Sequence, residues 1–103
     1  MGYEVDVRGT LEFFKPFEEF EKDVEEKFPE TYANTAGFFF KHVEWNEWDD
    51  DEFELFREGK LWYNDQKAME FLAKYANGTV YFYGEDNESW KYILKDGEIE
   101  KFE

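Results

Sequence analysis

The sequence predicts an α+β domain with a ferredoxin-like sandwich, in which an antiparallel sheet carries two helices on one face and ends in an extra C-terminal hairpin. Two stretches with apolar residues at spacings of three and four predict helices, and the stretches around them alternate or are rich in β-branched and aromatic residues. The order is strand, helix, two or three strands, helix, strand and hairpin, which matches a ferredoxin-like topology with an added hairpin. At 103 residues, without a repeat or linker, residues 1–103 are predicted to form one domain.

The composition indicates a folded, strongly acidic protein. The chain has 27 acidic and 12 basic residues, a net charge of −15 and 23% aromatic residues, which is more apolar material than a disordered chain carries. Without cysteine there are no disulfides or thiolate sites, and the N-terminus lacks the pattern of a signal peptide, so we expect a cytoplasmic protein. No apolar run approaches the length of a membrane span, and the acidic surface disfavours direct contact with nucleic acid.

The N-terminal part predicts a strand followed by a helix. Residues 3–7 alternate between apolar and charged side chains, and Gly9 leaves open whether the strand ends, bulges or continues to Phe13. Pro16 suits the first position of a helix, and Pro29 ends it. The apolar stripe of this helix consists of Phe17, Phe20, Val24 and Phe28.

The middle of the chain predicts strands around an exposed acidic segment. Residues 37–45 are aromatic and β-branched, which is typical of a strand. The acidic residues 46–52 are predicted to form a turn or an exposed loop. Residues 53–56 and 61–63 flank a charged tetrapeptide containing glycine at 57–60, which predicts a hairpin.

A second helix is predicted to follow. Asn64 or Asp65 can cap its start, and Asn77 with Gly78 predicts its end, because glycine often adopts the left-handed conformation after a helix. The apolar face of the helix is predicted to consist of Ala68, Leu72, Tyr75 and Ala76.

The C-terminal part predicts a strand and a hairpin. Residues 79–83 alternate in the manner of a half-buried strand. Residues 90–95 and 98–102 are joined by Asp96 and Gly97, and an Asp-Gly pair between two such runs is a strong hairpin signal.

Four short motifs in the second half resemble the YubB ferredoxin-like domain family, which is found in plasmid and phage proteins. The motifs are GKLWY at 59–63, TVYFY at 79–83, ESWKY at 88–92 and KDGEI at 95–99. At 63–65, where the family usually has Trp-Ser-Pro, this sequence has Tyr-Asn-Asp. The resemblance implies a ferredoxin-like fold and an origin on a mobile element, and it supplies no catalytic residue.

No pattern in the chain indicates catalysis, so we expect no enzymatic activity, no cofactor and no bound metal. Ser89 and His42 are the single serine and histidine, and neither lies in a nucleophile motif. Carboxylates beside Trp45, Trp48 and Trp62 suggest a sugar cleft, but a domain this small rarely builds the deep carboxylate pair of a glycosidase. The longest acidic run lacks the ligand spacing of a calcium loop, which favours weak cation association.

The acidic residues are concentrated in two segments. Residues 44–58 carry eight acids against one arginine, and residues 17–30 carry seven acids against two lysines, whereas residues 65–74 are neutral. Such runs are often simply solvated faces that keep a protein soluble. However, solubility needs a milder net charge than this, and like charges repel one another on a small domain. We therefore consider recognition of a basic partner as good an interpretation as solubility.

From these observations we expect a non-enzymatic inhibitor or interaction protein that occupies the nucleic-acid-binding surface of a basic partner. It would mimic DNA or RNA, in the functional class of phage anti-CRISPR or anti-restriction proteins. Tryptophan is favoured at the energetic centre of interfaces, so Trp45, Trp48 and Trp62 are predicted as aromatic anchors, and the first two belong to the predicted contact set. The predicted partner-binding residues are Glu18, Glu21, Glu25, Glu44, Trp45, Glu47, Trp48, Asp49, Asp50, Asp51, Glu52 and Glu54.

Two alternatives stay open at this point. The same acidic surface would serve an immunity protein that neutralises a basic nuclease toxin. A small ligand-binding domain would instead use an aromatic face of the sheet, with a pocket lined by Phe38, Phe40, Trp62 or Tyr81.

Overall fold

The structure is a computed structural model that describes residues 3–31, 35–61 and 65–103. In these ranges it has an antiparallel sheet and three helices, one helix more than predicted, which confirms the α+β class. None of the helices in these ranges has the length and apolar character to cross a membrane. The elements are β1 (Tyr3–Phe13), α1 (Phe17–Lys27), α2 (Ala36–Lys41), β2 (Glu44–Asp49), β3 (Glu52–Arg57), β4 (Lys60–Leu61), α3 (Asp65–Leu72), β5 (Ala76–Gly84), β6 (Ser89–Lys95) and β7 (Glu98–Phe102).

The strands lie in the order β2-β3-β1-β5-β6-β7, and β4 pairs with β1 beyond the end of β3. The pairing of Val7 with Arg57 and of Glu4 with Lys60 belongs to one continuous register. Between them, the Val5 amide donates to the Gly59 carbonyl at 2.9 Å. The predicted hairpin at 57–60 is therefore wrong, because β3 and β4 continue along β1 instead of folding back on each other.

The predictions for the first strand and the first helix are confirmed. β1 runs through Gly9 to Phe13, and Gly9 suits this position because a Cβ there would lie 3.0 Å from Val80 Cγ2. Helix α1 follows Pro16 and ends before Phe28, whose amide donates to the Val24 carbonyl.

The predicted strand over 37–45 is wrong, because most of this segment forms helix α2, and β2 begins only at Glu44. The Thr35 hydroxyl accepts a hydrogen bond from the Phe38 amide at 3.2 Å and so caps the helix. Phe39 is fully buried against Phe82 of β5. This capping and tertiary packing override the strand preference of consecutive aromatic residues.

The predicted acidic turn over 46–52 is also wrong in extent. Residues 44–49 form the edge strand β2, Asp50 and Asp51 make the turn, and β3 begins at Glu52. Charged side chains are compatible with β2 because it is paired on one side, and five of its six residues are exposed. The register between β2 and β3 shifts between Glu47 and Asp49, which indicates a bulge at Trp48.

The predicted second helix is shorter in the structure. α3 ends at Leu72, and Ala76, Asn77 and Gly78 belong to β5, so these two last residues do not end the helix. Gly78 has φ +152°, and a Cβ there would collide with the Thr10 carbonyl oxygen of the neighbouring strand. Asn64 lies outside the described residues, and Asp65 is the first residue of the helix.

The C-terminal strand and hairpin are confirmed. β5 continues to Gly84, and β6 pairs with β7 through the turn at Asp96 and Gly97. Both turn residues have positive φ, 53° and 85°, as a two-residue hairpin turn requires.

The hydrophobic core lies on one face of the sheet. Along β1, every second residue from Val5 to Phe13 is buried, and the residues between them are exposed. The rings of Phe17 and Phe53 stack with centroids 4.3 Å apart, which joins α1 to β3. We call the opposite sheet surface, which carries the exposed row of β1, the outer face.

Candidate partner-binding surface

The two acidic segments predicted from the sequence lie next to each other in the fold. Phe53 of β3 packs against Phe17 of α1, and this contact holds the β2–β3 hairpin beside the helix. The Phe13 amide donates to the Asp51 carbonyl at 2.8 Å, so the hairpin turn is also fixed to the end of β1. The predicted contact residues that are exposed here are Glu18, Glu21, Glu25, Glu44, Glu47, Trp48, Asp49, Asp50, Asp51 and Glu54, whereas Trp45 and Glu52 are partly exposed.

A depression at this junction, which we call the acidic cleft, is the clearest meeting point of the two segments. Its acidic lining consists of Glu18 from α1 and Glu47, Asp50 and Asp51 from the hairpin. Its other lining residues are Phe13, Phe14, Lys15, Pro16, Phe17 and Phe53. Carboxylates that are distant in sequence therefore line one depression together with apolar side chains and a single lysine.

Phe14 and Lys15 belong to this cleft although sequence reasoning did not select them. Phe14 is 51% exposed. β1 ends at the buried Phe13, and Phe14 follows in the bend before α1, so strand alternation does not determine where its ring lies. An exposed ring beside carboxylates is a natural contact for a partner protein.

A second depression, which we call the apolar groove, lies between α1, α2 and the start of β2. It has a volume of about 520 Å³. Glu21 and Glu25 lie along its α1 side, and Lys41 lies on its α2 side. The apolar lining residues are Phe20, Val24, Phe28, Pro29, Phe40, Val43 and Trp45.

Of the three tryptophans predicted as anchors, the two that the structure describes have different environments. Trp45 packs edge-on against Phe17 and Phe20, with centroids 5.3 and 5.6 Å away, so most of its contacts are within the protein. Trp48, at the bulge of β2, is 59% exposed. Trp48 is thus the tryptophan available to a partner, while Trp62 lies outside the described residues.

The structure does not bring all the predicted acids to one surface. Glu44 and Glu54 stand in register with Phe56 and Thr10, which places them on the outer face. Glu47 is in register with the buried Phe53 and faces the acidic cleft instead. The acidic segment therefore contributes to two surfaces, and the acidic cleft collects only one part of it.

Among the residues that the structure describes, the acids of both surfaces form no ion pair. In the described parts of the chain the single ion pair joins Lys101 to Glu103 at 3.8 Å, far from the acidic cleft in sequence. The Asp49 carboxylate accepts a hydrogen bond from the neighbouring Asp50 amide at 2.8 Å, which is a contact within the turn and not with a basic side chain. In residues 3–31, 35–61 and 65–103 no three acidic or histidine side chains are arranged to hold a metal ion.

The outer face carries a ladder of alternating aromatic and basic side chains that sequence reasoning missed. The Arg8 guanidinium lies 4.9 Å from the centroid of the Phe56 ring. The Lys91 ammonium lies 5.8 Å from Tyr81 and 5.5 Å from Phe102. The strand register places Phe56, Arg8, Tyr81, Lys91 and Phe102 side by side across five strands, which only the pairing of the strands reveals.

The residues named for an aromatic ligand pocket are not gathered in one place. Phe40 packs inside, against Phe20 and Phe28, whereas Tyr81 is exposed on the outer face. Phe38 contacts His42, and Trp62 is outside the described residues. The pocket predicted from these four side chains is therefore not formed by the three that are described.

Comparison of the chain with protein-family models, with curated proteins and with solved structures found no significant match.

Proposed function

We propose that the protein is a non-enzymatic acidic inhibitor that binds a basic, nucleic-acid-handling partner through the acidic cleft and the exposed side chains around it. The observation that supports this is that Glu18 lines the same depression as Glu47, Asp50 and Asp51, together with apolar side chains. These carboxylates come from segments about thirty residues apart and carry no ion pair in the described part of the chain. A basic partner would supply the missing counter-charges.

The proposed mechanism is occupation of a surface that otherwise binds phosphates. Duplex DNA presents one charge per about 1.7 Å of axis, and a partner evolved for it lines its groove with lysine and arginine. Complementary charge would speed association, while Trp48 and Phe14 would contribute apolar contact area. The proposal places the protein in the cytoplasm, in the class of phage anti-CRISPR and anti-restriction inhibitors, and it involves no direct contact with nucleic acid or membrane.

An immunity protein for a basic nuclease toxin would use the same surface. The partner distinguishes the two: a toxin would be a secreted nuclease encoded beside this chain, and an inhibitor's target would be a defence enzyme. Both share the acidic cleft as the binding site, so one set of variants tests both.

We also propose that the fold is ferredoxin-like, with its helices on one face of the sheet and the β6–β7 hairpin added at the edge. The order β2-β3-β1-β5, with a helix after β1 and a helix before β5, supports this proposal. So do the contacts of Phe17 with Phe53 and of Phe39 with Phe82, which lie on the buried row. The resemblance to the YubB domain family would imply the same arrangement.

The test is capture of a partner and its loss on charge reversal. The wild-type protein is used as bait in a bacterial lysate at low and high salt, with DNA as competitor in a parallel sample. The captured partner is then purified and its affinity is measured for a triple variant, Glu47→Lys, Asp50→Lys and Asp51→Lys. We expect that reversal to weaken binding by at least about 100-fold, because several close charge pairs are inverted.

A matched control reverses the same number of charges in another turn. Glu85, Asp86 and Glu88 are exposed between β5 and β6, and their replacement by lysine gives the same net charge as the cleft variant. If both variants lose affinity equally, total charge is responsible and the assignment of the acidic cleft is wrong. A partner that DNA does not displace would contradict occupation of a nucleic-acid-binding surface.

A further inference from the structure

We propose that the apolar groove binds the apolar side chains of a basic amphipathic helix of the partner. This rests on the proposed function and deepens it, because it adds a recognition element of stated chemistry beside the acidic cleft. The groove would provide apolar contacts and specificity, whereas the cleft would provide charge.

The first support is that the apolar stripe of α1 is covered only in part by its own protein. Phe20 is fully buried, but Val24 and Phe28, one and two turns further along, are only partly buried. Val43 and Trp45 on the opposite side of the groove are partly buried as well. Apolar side chains from α1, from the residues that follow it and from the start of β2 thus line the same open space.

The second support is the shape of the groove. The Phe20 and Phe40 rings are 5.7 Å apart, and the Phe28 and Phe40 rings are 6.0 Å apart, so they form a continuous aromatic floor. The floor residues of α1 repeat at intervals of four. A second helix laid along α1 would present its own side chains at the same interval, about 6 Å apart, and could pack them between those of α1.

The charge at the rim favours a basic helix, because the acids of α1 outnumber Lys41 on the α2 side. Glu21 and Glu25 line the groove from α1, and the exposed faces of that helix carry further acids, with a net charge of −4 over α1. Lysine or arginine beside the apolar anchors of a bound helix would lie against this wall. A second copy of this chain fits poorly, because it would bring another acidic surface next to the first.

The experiment uses the full chain and two synthetic peptides made only of leucine and lysine. Both have about 18 residues and the same composition, but one places its leucines on one helical face and the other disperses them. Affinity is measured by calorimetry, and the site is mapped by the backbone amide shifts of the labelled protein. We expect the facial peptide to bind at least about tenfold more tightly, with shifts centred on Val24 and Val43.

Variants of the groove provide the second readout. Val24→Ser and Val43→Ser should each lower the affinity for the facial peptide by about three- to tenfold, because apolar contact area is lost. Ile93→Ser on the outer face should leave its affinity unchanged. Should Val24→Ser not fold, Glu21→Gln with Glu25→Gln, both exposed, should reduce affinity for the facial peptide and flatten its salt dependence.

Equal affinity for the two peptides, or shifts centred on Asp50 and Asp51, would overturn the groove proposal. A dimer that Val43→Ser dissociates would overturn it too, in favour of a second copy as occupant. These failures differ from failure of the proposed function, which is judged by the cleft reversal on the captured partner. The cleft reversal should leave the leucine preference of the groove in place.

Discussion

The hydroxyl of Tyr75 donates a 2.6 Å hydrogen bond to a carboxylate oxygen of Asp23. This bond joins α1 to the turn between α3 and β5, residues that are 52 positions apart in the sequence. The Tyr75 ring also contacts Phe20 and Phe71, so the hydroxyl is held in place by packing. The bond thus fixes α1, which carries one wall of both the acidic cleft and the apolar groove.

Removing this bond should destabilise the protein. Tyr75→Phe keeps the ring contacts but deletes the donor to a charged acceptor, and we expect a loss of about 1–2 kcal/mol in the free energy of unfolding. Urea denaturation measures it. In an Asp23→Ala background the same substitution should cost much less, and equal costs in both backgrounds would show that the bond contributes nothing.

The same tyrosine makes stability depend on alkaline pH. Burial, and then the hydrogen bond to Asp23, raise the pKa of Tyr75 from 10.0 to about 12. The folded protein therefore holds this proton more tightly than the unfolded chain does, and the resulting stabilisation is complete below pH 10 and disappears as the pH rises to about 12. We expect unfolding free energies measured across that interval to fall less steeply for Tyr75→Phe than for the wild type.

Asp65 links the start of α3 to β6. One of its carboxylate oxygens accepts from Tyr92 Oη at 2.9 Å and from Trp90 Nε1 at 3.2 Å. Asp65→Ala leaves the hydroxyl of the fully buried Tyr92 without this acceptor, so we expect a loss of about 2–3 kcal/mol. Asp86→Ala, in an exposed turn, is the control and should stay within about 0.5 kcal/mol of the wild type.

Arg57 is buried, 1% exposed, in a protein with a large excess of acids. Its Nε donates to the Phe39 carbonyl at 3.2 Å and Nη2 donates to the Lys60 carbonyl at 2.9 Å, while Nη1 has no hydrogen-bond partner among the residues that the structure describes. The guanidinium lies over the Phe38 and Phe39 rings, and burial lowers the pKa of Arg57.

This environment predicts an unusual order of stabilities. Arg57→Lys should cost about 3 kcal/mol or more, because an ammonium cannot reach both carbonyls and its charge is more strongly hydrated. Arg57→Met should cost less, since it removes the buried charge and keeps most of the volume. Thermal or urea unfolding measures the stabilities of the two variants. An Arg57→Met variant that is less stable than Arg57→Lys would contradict this explanation.

Salt should stabilise the isolated protein. Raising the ionic strength from about 0.01 M to about 0.15 M shortens the screening length from about 30 Å to about 8 Å. Repulsion among the acids of the cleft should weaken, and we expect the melting temperature to rise by a few degrees. The melting temperature of the triple lysine variant of the cleft should rise less with salt. A wild-type melting temperature that does not change with salt would count against repulsion in the acidic cleft.

Local sequence patterns predicted an element correctly where the element buries one regular row of apolar side chains or turns at a characteristic residue pair. The alternation of β1, the stripe of α1 and the Asp96-Gly97 turn all predicted what the structure contains. The prediction of a strand after Thr35 was wrong. Three consecutive aromatic residues favour a strand, but the capping hydrogen bond of Thr35 and the burial of Phe39 outweigh that preference.

The rest depended on which strands pair. Gly78 signals the end of a helix by its type, yet it lies inside β5, where the close approach of Thr10 excludes a side chain. The acids of 44–58 were predicted as a group, but their division between two surfaces follows from the register of β2 with β3 and the shift at Trp48. No local pattern contains that register.

The difference in charge between the two edges of the sheet has an effect on the molecule as a whole. The β2–β3 edge belongs to a segment with a net charge of −7, while residues 89–102 at the opposite edge carry three lysines and three acids and are neutral. The sheet is thus a permanent electric dipole directed across its strands. In the field of a positively charged body the molecule experiences a torque that turns the β2–β3 edge forward, so its orientation is biased before the first contact is made.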